Sequence, residues 1–250
     1  MADATRFIIV TIGRTGSTRI RRLLDSHPDI TCHGELLGEG LVNLARGDEG
    51  LLERLRRERE ADPGGFLARR GFAPDGTRAP SRAVGLKVLC EQVFDRYPAT
   101  LGRLRADRDL RVIHLVRRNG LRRFISQWTV GTGLLRHGYS RGEAVPTFEP
   151  VRIPVEAVLA DLGRVEAERA RVEREFAGHP FLEIAYEDSL DERGPAFRDA
   201  QAFLGVPPAT LACDLRKSLP EDPRATVANL DEIVAALRGT RFGALVADLD

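Results

Sequence analysis

Residues 7–24 read FIIVTIGRTGSTRIRRLL. Six apolar and β-branched residues, 7–12, describe a buried strand that Gly13 ends. Ile20, Leu23, Leu24 and His27 then fall at i, i+3, i+4 and i+7, one face of a helix stopped by Pro28. A strand that turns straight into a helix aims several backbone N–H groups at one point, and the helix dipole adds positive charge there. Gly13 and Gly16 let the backbone bend close to a ligand, and Ser17 and Thr18 bring hydroxyl donors. Arg14 adds a planar fork suited to phosphate or sulfate oxygens. An anion site is expected here. The plainer alternative is an ordinary turn with Ser17 as the helix cap. The kinase pattern G-x-x-x-x-G-K-[ST] fails, because the position that needs its second glycine is Thr18 and no lysine follows. G-x-G-x-x-G is also absent, so a magnesium-bound triphosphate is disfavoured.

Further strands are predicted at 30–33, 84–89, 110–116 and 181–185. Helices are predicted over 41–60, 93–105, 121–128, 155–176, 195–204 and 231–237. Residues 71–82 read as a loop. Residues 131–154 show no periodicity, the mark of a lid, a substrate loop or a disordered segment. Strands alternating with helices indicate an α/β fold with a central, mainly parallel sheet flanked by helices. No repeat or linker divides the 250 residues, so a single domain is expected.

The bulk properties narrow the function. A net charge of +1 gives no global basic field for nucleic acid. Cys32, Cys90 and Cys213 are odd in number and far apart, which suits a reducing compartment rather than a disulfide framework or a metal cluster. No apolar run approaches the roughly 20 residues of a membrane span, and the first residues lack a signal-peptide layout. A cytoplasmic protein is expected. Of the 38 basic residues only Lys87 and Lys217 are lysine. Codon bias accounts for most of that, but a retained lysine marks a place where a compact ammonium is wanted.

A second anchor follows the strand at 110–116, in HLVRRNGLRRFISQW. Arg117 and Arg118 stand at its carboxyl end, where open α/β sheets bind ligands, and Ser126 lies two helical turns on. Together with TIGRTGSTRIRRLLDSHPDITCHGELL at 11–37, this segment resembles the nucleotide motifs of the bacterial and carbohydrate sulfotransferases that use 3′-phosphoadenosine-5′-phosphosulfate (PAPS). The similarity continues at GLKVL, at YEDSL and FLGV, and over 215–245. It is weakest at 45–80 and 131–155.

The resemblance implies a P-loop-like three-layer fold. Arg14, Thr15, Gly16, Ser17 and Thr18 would hold the 5′-phosphosulfate. Arg117, preferred over Arg118, would hold the 3′-phosphate with Ser126. Arg216 and Lys217 resemble a late basic segment that reaches the nucleotide in some relatives, and lysine is frequent in relatives at the position of Lys87. Glu35, in the G-E pair, is the implied general base and His33 its rival; the two share a face if residues 31–35 are extended. His114 reads as core. The implied reaction is in-line sulfuryl transfer to a hydroxyl of a carbohydrate or small molecule. Glu35 takes the proton, Arg14 stabilises the leaving group, PAP (the desulfated nucleotide) is the product, and no metal is called for. A phosphotransferase and a noncatalytic nucleotide-binding protein are the alternatives. A homodimer is compatible with the sequence.

Overall fold

The computed structural model describes residues 4–250 except 39, 46, 74–80, 137, 248 and 250. Its strands are β1 (Thr5–Thr11), β2 (Ile30–His33), β3 (Ala83–Leu89), β4 (Arg111–Val116), β5 (Tyr139–Ser140), β6 (Phe181–Ala185) and β7 (Leu215–Arg216). The helices are α1 (Ser17–Asp25), α2 (Leu41–Ala45), α3 (Glu49–Ala61), α4 (Pro63–Phe66), α5 (Pro98–Ala106), α6 (Gly120–Gly131), α7 (Val155–Glu175), α8 (Pro195–Leu204) and α9 (Leu230–Arg238). They form two compact units, one of residues 1–116 and 171–213, the other of 117–170 and 214–250.

The first unit is built on a five-stranded sheet in the order β2-β3-β1-β4-β6, with every neighbouring pair parallel. β1 is central because both of its faces are apolar, and its side chains alternate between two cores. Ile8 and Val10 enter one core with Leu86, Val88, Val112, Val172 and Phe176. Phe7 and Ile9 enter the other with Ile20, Leu23 and Leu24 of α1 and Phe197, Ala200 and Leu204 of α8. Two helical layers on a parallel sheet satisfy both faces, the three-layer α/β arrangement expected from the sequence.

Local chemistry explains where the helices depart from their predicted limits. The charged run at 41–60 is two helices, because Asp48 accepts a bond from the Leu51 N–H at 2.8 Å and starts α3 afresh. The run at 93–105 is also broken. A π-helical turn, Gln92–Arg96, ends at Tyr97, and Pro98 opens α5 at the position where a missing N–H costs nothing.

In the second unit α6, the first part of α7 and α9 share a core of Leu121, Phe124, Ile125, Val158, Leu162, Ile233, Val234 and Leu237. Asn229 ties a loop to this core: its amide accepts from the N–H of Ile153 and donates to the C=O of Ile153, both at 2.9 Å. Buried Arg123 of α6 pairs with Asp161 of α7. Residues 131–154, without periodicity, hold the short strand β5, which pairs antiparallel with β7. No described helix is long and apolar enough to cross a membrane.

Candidate active site

The turn after β1 is strained in the way an anion cradle requires. Arg14 has φ 69° and Gly16 φ 78°, two left-handed residues separated by Thr15. Alternation of this kind curls backbone N–H groups into a concavity. Arg14 is the one non-glycine residue with positive φ among those described, an outlier that points to function. Gly16, not Ser17, occupies the cap position of α1, and no side chain caps the helix. The plainer alternative, a turn with Ser17 as the cap, is therefore not what forms, and Ser17 is the first residue of the helix instead.

The loop is anchored from beneath. Thr15 is fully buried, and its Oγ1 lies 2.7 Å from Oγ1 of Thr11. The Thr11 hydroxyl is 2.7 Å from the carbonyl oxygen of Leu115. Thr15 thus faces the fold with its hydroxyl and the loop with its backbone. Ser17 is buried and Thr18 is exposed.

Glu35 is held by the turn that follows β2. β2 stops at His33, and the backbone turns at Glu35, where the Leu36 N–H donates to the Gly34 carbonyl at 3.0 Å. The reason is the glycine-rich run GELLGEG. The N–H groups of Gly38 and Gly40 donate to the carbonyl of Glu35 at 2.8 and 3.0 Å, while Leu36 and Leu37 are buried in the core. A Cβ on Gly40 would stand 2.5 Å from the Glu35 nitrogen, so only glycine permits this close turn. The Glu35 carboxylate lies 2.5 Å from Nζ of Lys87 and accepts from Nε2 of Gln92 at 3.1 Å. Lys87 also reaches Oγ1 of Thr18 at 3.4 Å. Loop, lysine and glutamate are therefore joined within one unit. His33 points elsewhere: its Nε2 meets the carbonyl of Ala73 at 3.0 Å, a contact in which the ring must donate.

The other predicted residues belong to the second unit. Arg117 is half-buried, Arg118 exposed and Ser126 buried on α6, whose cap is Asn119, accepting from the Arg122 N–H at 2.9 Å. Arg216 is an exposed residue of β7, opposite Tyr139. Lys217 pairs with Glu221 at 2.6 Å, and that hydrogen bond holds the Glu221 carboxyl below its ordinary range.

Sequence reading missed Gln92, because nothing local marks a glutamine 57 residues from its partner. It also left Lys87 undecided. The scarcity of lysine was the usable signal, and the structure gives Lys87 the contact with Glu35 and Lys217 a surface pair. His114 is buried as expected and packs edge-on against Phe181. Its Nδ1 lies 3.7 Å from Glu183. With exposed Glu173 and Glu183 it forms the one group of three possible metal ligands among the described residues. Burial pushes the Cys32 thiol up to about 12, so it stays protonated.

No family model matches the chain. It is 28% identical over 209 residues to Nodulation protein H of Rhizobium meliloti strain 1021, covering 82% of this chain and 79% of that protein. Among solved structures it resembles a sulfotransferase from Alicyclobacillus acidocaldarius, with a TM-score of 0.50 and 22% identity over 100% of this chain and 95% of the other. It also resembles a sulfotransferase domain from the curacin biosynthetic pathway, with a TM-score of 0.53 and 16% identity over 96% of this chain and 81% of the other. The resemblance first carried by short motifs thus extends across the architecture, and the chain has the sulfotransferase fold.

Proposed function

We propose that the protein is a PAPS-dependent sulfotransferase acting on a hydroxyl of a carbohydrate or small molecule. The observation that carries this reading is the left-handed turn at Arg14 and Gly16, joined through Thr18 and Lys87 to Glu35. An anion cradle with a carboxylate beside it suits transfer of a charged group to an oxygen that must lose a proton.

In this proposal the backbone N–H groups of residues 14–18 and the Arg14 guanidinium receive the 5′-phosphosulfate. An uncapped helix start flanked by two left-handed residues fits such an anion. Glu35 accepts the acceptor's proton as its oxygen attacks sulfur. The bridging oxygen leaves with the 5′-phosphate, and Arg14 stabilises the charge that develops there. Arg117 and Ser126 are proposed to hold the 3′-phosphate, and Arg216 and Lys217 are proposed as further nucleotide contacts. The fold neighbours support the reading by their architecture.

The test is a thermal-shift comparison of PAP with ATP, followed by turnover of PAPS. PAP is expected to raise the melting temperature where ATP does not. Arg14→Ala should lower turnover by at least about a hundredfold, and Glu35→Gln should lower turnover about a hundredfold to a measurable residual rate while still binding PAPS. A preference for ATP, or full activity in Glu35→Gln, rejects the reading.

A further inference from the structure

Two side chains outside the proposed donor and base set converge on Glu35. Lys87 lies against Oε1 at 2.5 Å and Gln92 Nε2 against Oε2 at 3.1 Å. The Gln92 amide can face only one way. Its Oε1 receives the N–H of Leu89 at 3.1 Å, and since that N–H can only donate, Nε2 is left for the glutamate. An ammonium likewise has only donors. Both oxygens of Glu35 therefore meet groups that can do nothing but donate, an arrangement matched to the acceptor-only carboxylate. That is the form a general base must have before the reaction begins.

The shielding is unequal in a useful way. Lys87 is 5% exposed and Gln92 6%, whereas the Glu35 side chain is 25% exposed. The holding groups are buried, and the side chain they hold is the more exposed of the three. An ammonium this deep is costly to keep unless its partners are well placed, and charge-assisted bonds away from water are strong and directional. The glycine turn fixes the backbone of Glu35 and the two donors fix its head, so the whole side chain is determined. Through Thr18, Lys87 also couples that head to the anion loop.

Resting on the sulfotransferase reading, we propose that Lys87 and Gln92 are positioning residues for the base. They aim the Glu35 carboxylate, and Lys87 sets its distance from the loop that receives the donor. Gln92 is the cleaner probe, because its side chain serves Glu35 and a backbone N–H, whereas Lys87 also touches the loop.

The experiment is a double-mutant cycle of Gln92→Leu and Glu35→Gln, read as PAP released from PAPS with 4-nitrophenol, glucose or water as acceptor. PAP binding by calorimetry serves as the fold check. Gln92→Leu is expected to lower kcat about tenfold while the PAPS KM and the PAP affinity stay within about twofold. In the Glu35→Gln background the same change should cost nothing more, since a residue that acts through Glu35 has nothing left to act on. Multiplied losses, or unchanged kcat in Gln92→Leu, overturn the proposal. Lys87→Met gives a second line: kcat falls, and the zero-length carbodiimide cross-link between Lys87 and Glu35, mapped by mass spectrometry in the wild type, disappears. Absence of that cross-link in the wild type, with cross-links elsewhere, also overturns it. Failure of PAP to bind any variant or the wild type would instead reject the donor reading, and the cross-link would still report on the Lys87–Glu35 contact.

Discussion

The ring of Tyr186 closes over Gly16. A Cβ built on Gly16 would stand 2.4 Å from Cδ2 of Tyr186 and 2.7 Å from Cε2, and the backbone there has φ 78°. Two independent constraints, a left-handed backbone and an aromatic lid, therefore demand glycine at the start of α1. Gly16→Ala should cost about 1 kcal/mol from the backbone alone, with the clash added. Tyr186→Ala in the Gly16→Ala background should recover the clash and leave the backbone cost. Denaturant melts of the two single variants and the double variant measure this. A double variant no more stable than Gly16→Ala would mean that the ring is not the obstacle.

Arg14 offers a separation of charge from conformation. At φ 69° its backbone favours glycine, so Arg14→Gly should be more stable than Arg14→Ala by about 1 kcal/mol. Both remove the guanidinium, so both should lose turnover alike. Equal stability of the two variants would show that the left-handed turn relaxes once the arginine is gone.

Glu60 carries a pH dependence. Its carboxyl is held below 4.5, first by the hydrogen bond from the Tyr97 hydroxyl at 2.7 Å and then by the Arg59 guanidinium. A folded value below the unfolded one makes this contribution fully present above about pH 4.5. It is lost as the pH falls through the lowered folded value. The pair is partly exposed, so the effect is small: Glu60→Gln should melt lower by about 2 °C at most at pH 7. The difference from wild type should vanish in strong acid. A gap that widens on acidification would contradict the assignment.

Arg123, in the RRNGLRR run, is a structural charge. It is 1% exposed and paired with Asp161. Arg123→Met should destabilise by about 3 kcal/mol, because it leaves a largely buried carboxylate whose remaining ion-pair partner among the described residues is Arg164, 2.8 Å away. Adding Asp161→Leu should return much of that loss. Equilibrium unfolding of the pair tests it, and a double variant as unstable as the single one would count against burial as the cause.

Much of the sheet was legible because burial on both faces writes a distinctive line. Residues 7–12 and 110–116 read as strands from their apolar runs alone, and β1 and β4 formed there. The turn at Arg14 was legible for the same local reason. Helix limits were less so, since Asp48 and Pro98 each divide a stretch whose composition is uniform. The surroundings of Glu35 were the least legible. Lys87 lies 69 residues from Thr18 and Gln92 lies 57 from Glu35, and no periodicity links residues that only the sheet brings together.

The sequence by itself determined the strand–turn–helix at 7–24, the parallel α/β class and the arginine in the turn. Those features depend on residues a few positions apart, whose spacing sets backbone conformation directly. Tertiary structure alone decided which lysine meets the glutamate, which glutamine completes the pair and which histidine turns away. Parallel neighbours in this sheet are distant in sequence, and β3 lands beside β1 only when both apolar faces are covered. That packing carries Lys87 to Glu35, while Lys217, the same residue type, remains with Glu221 on the surface.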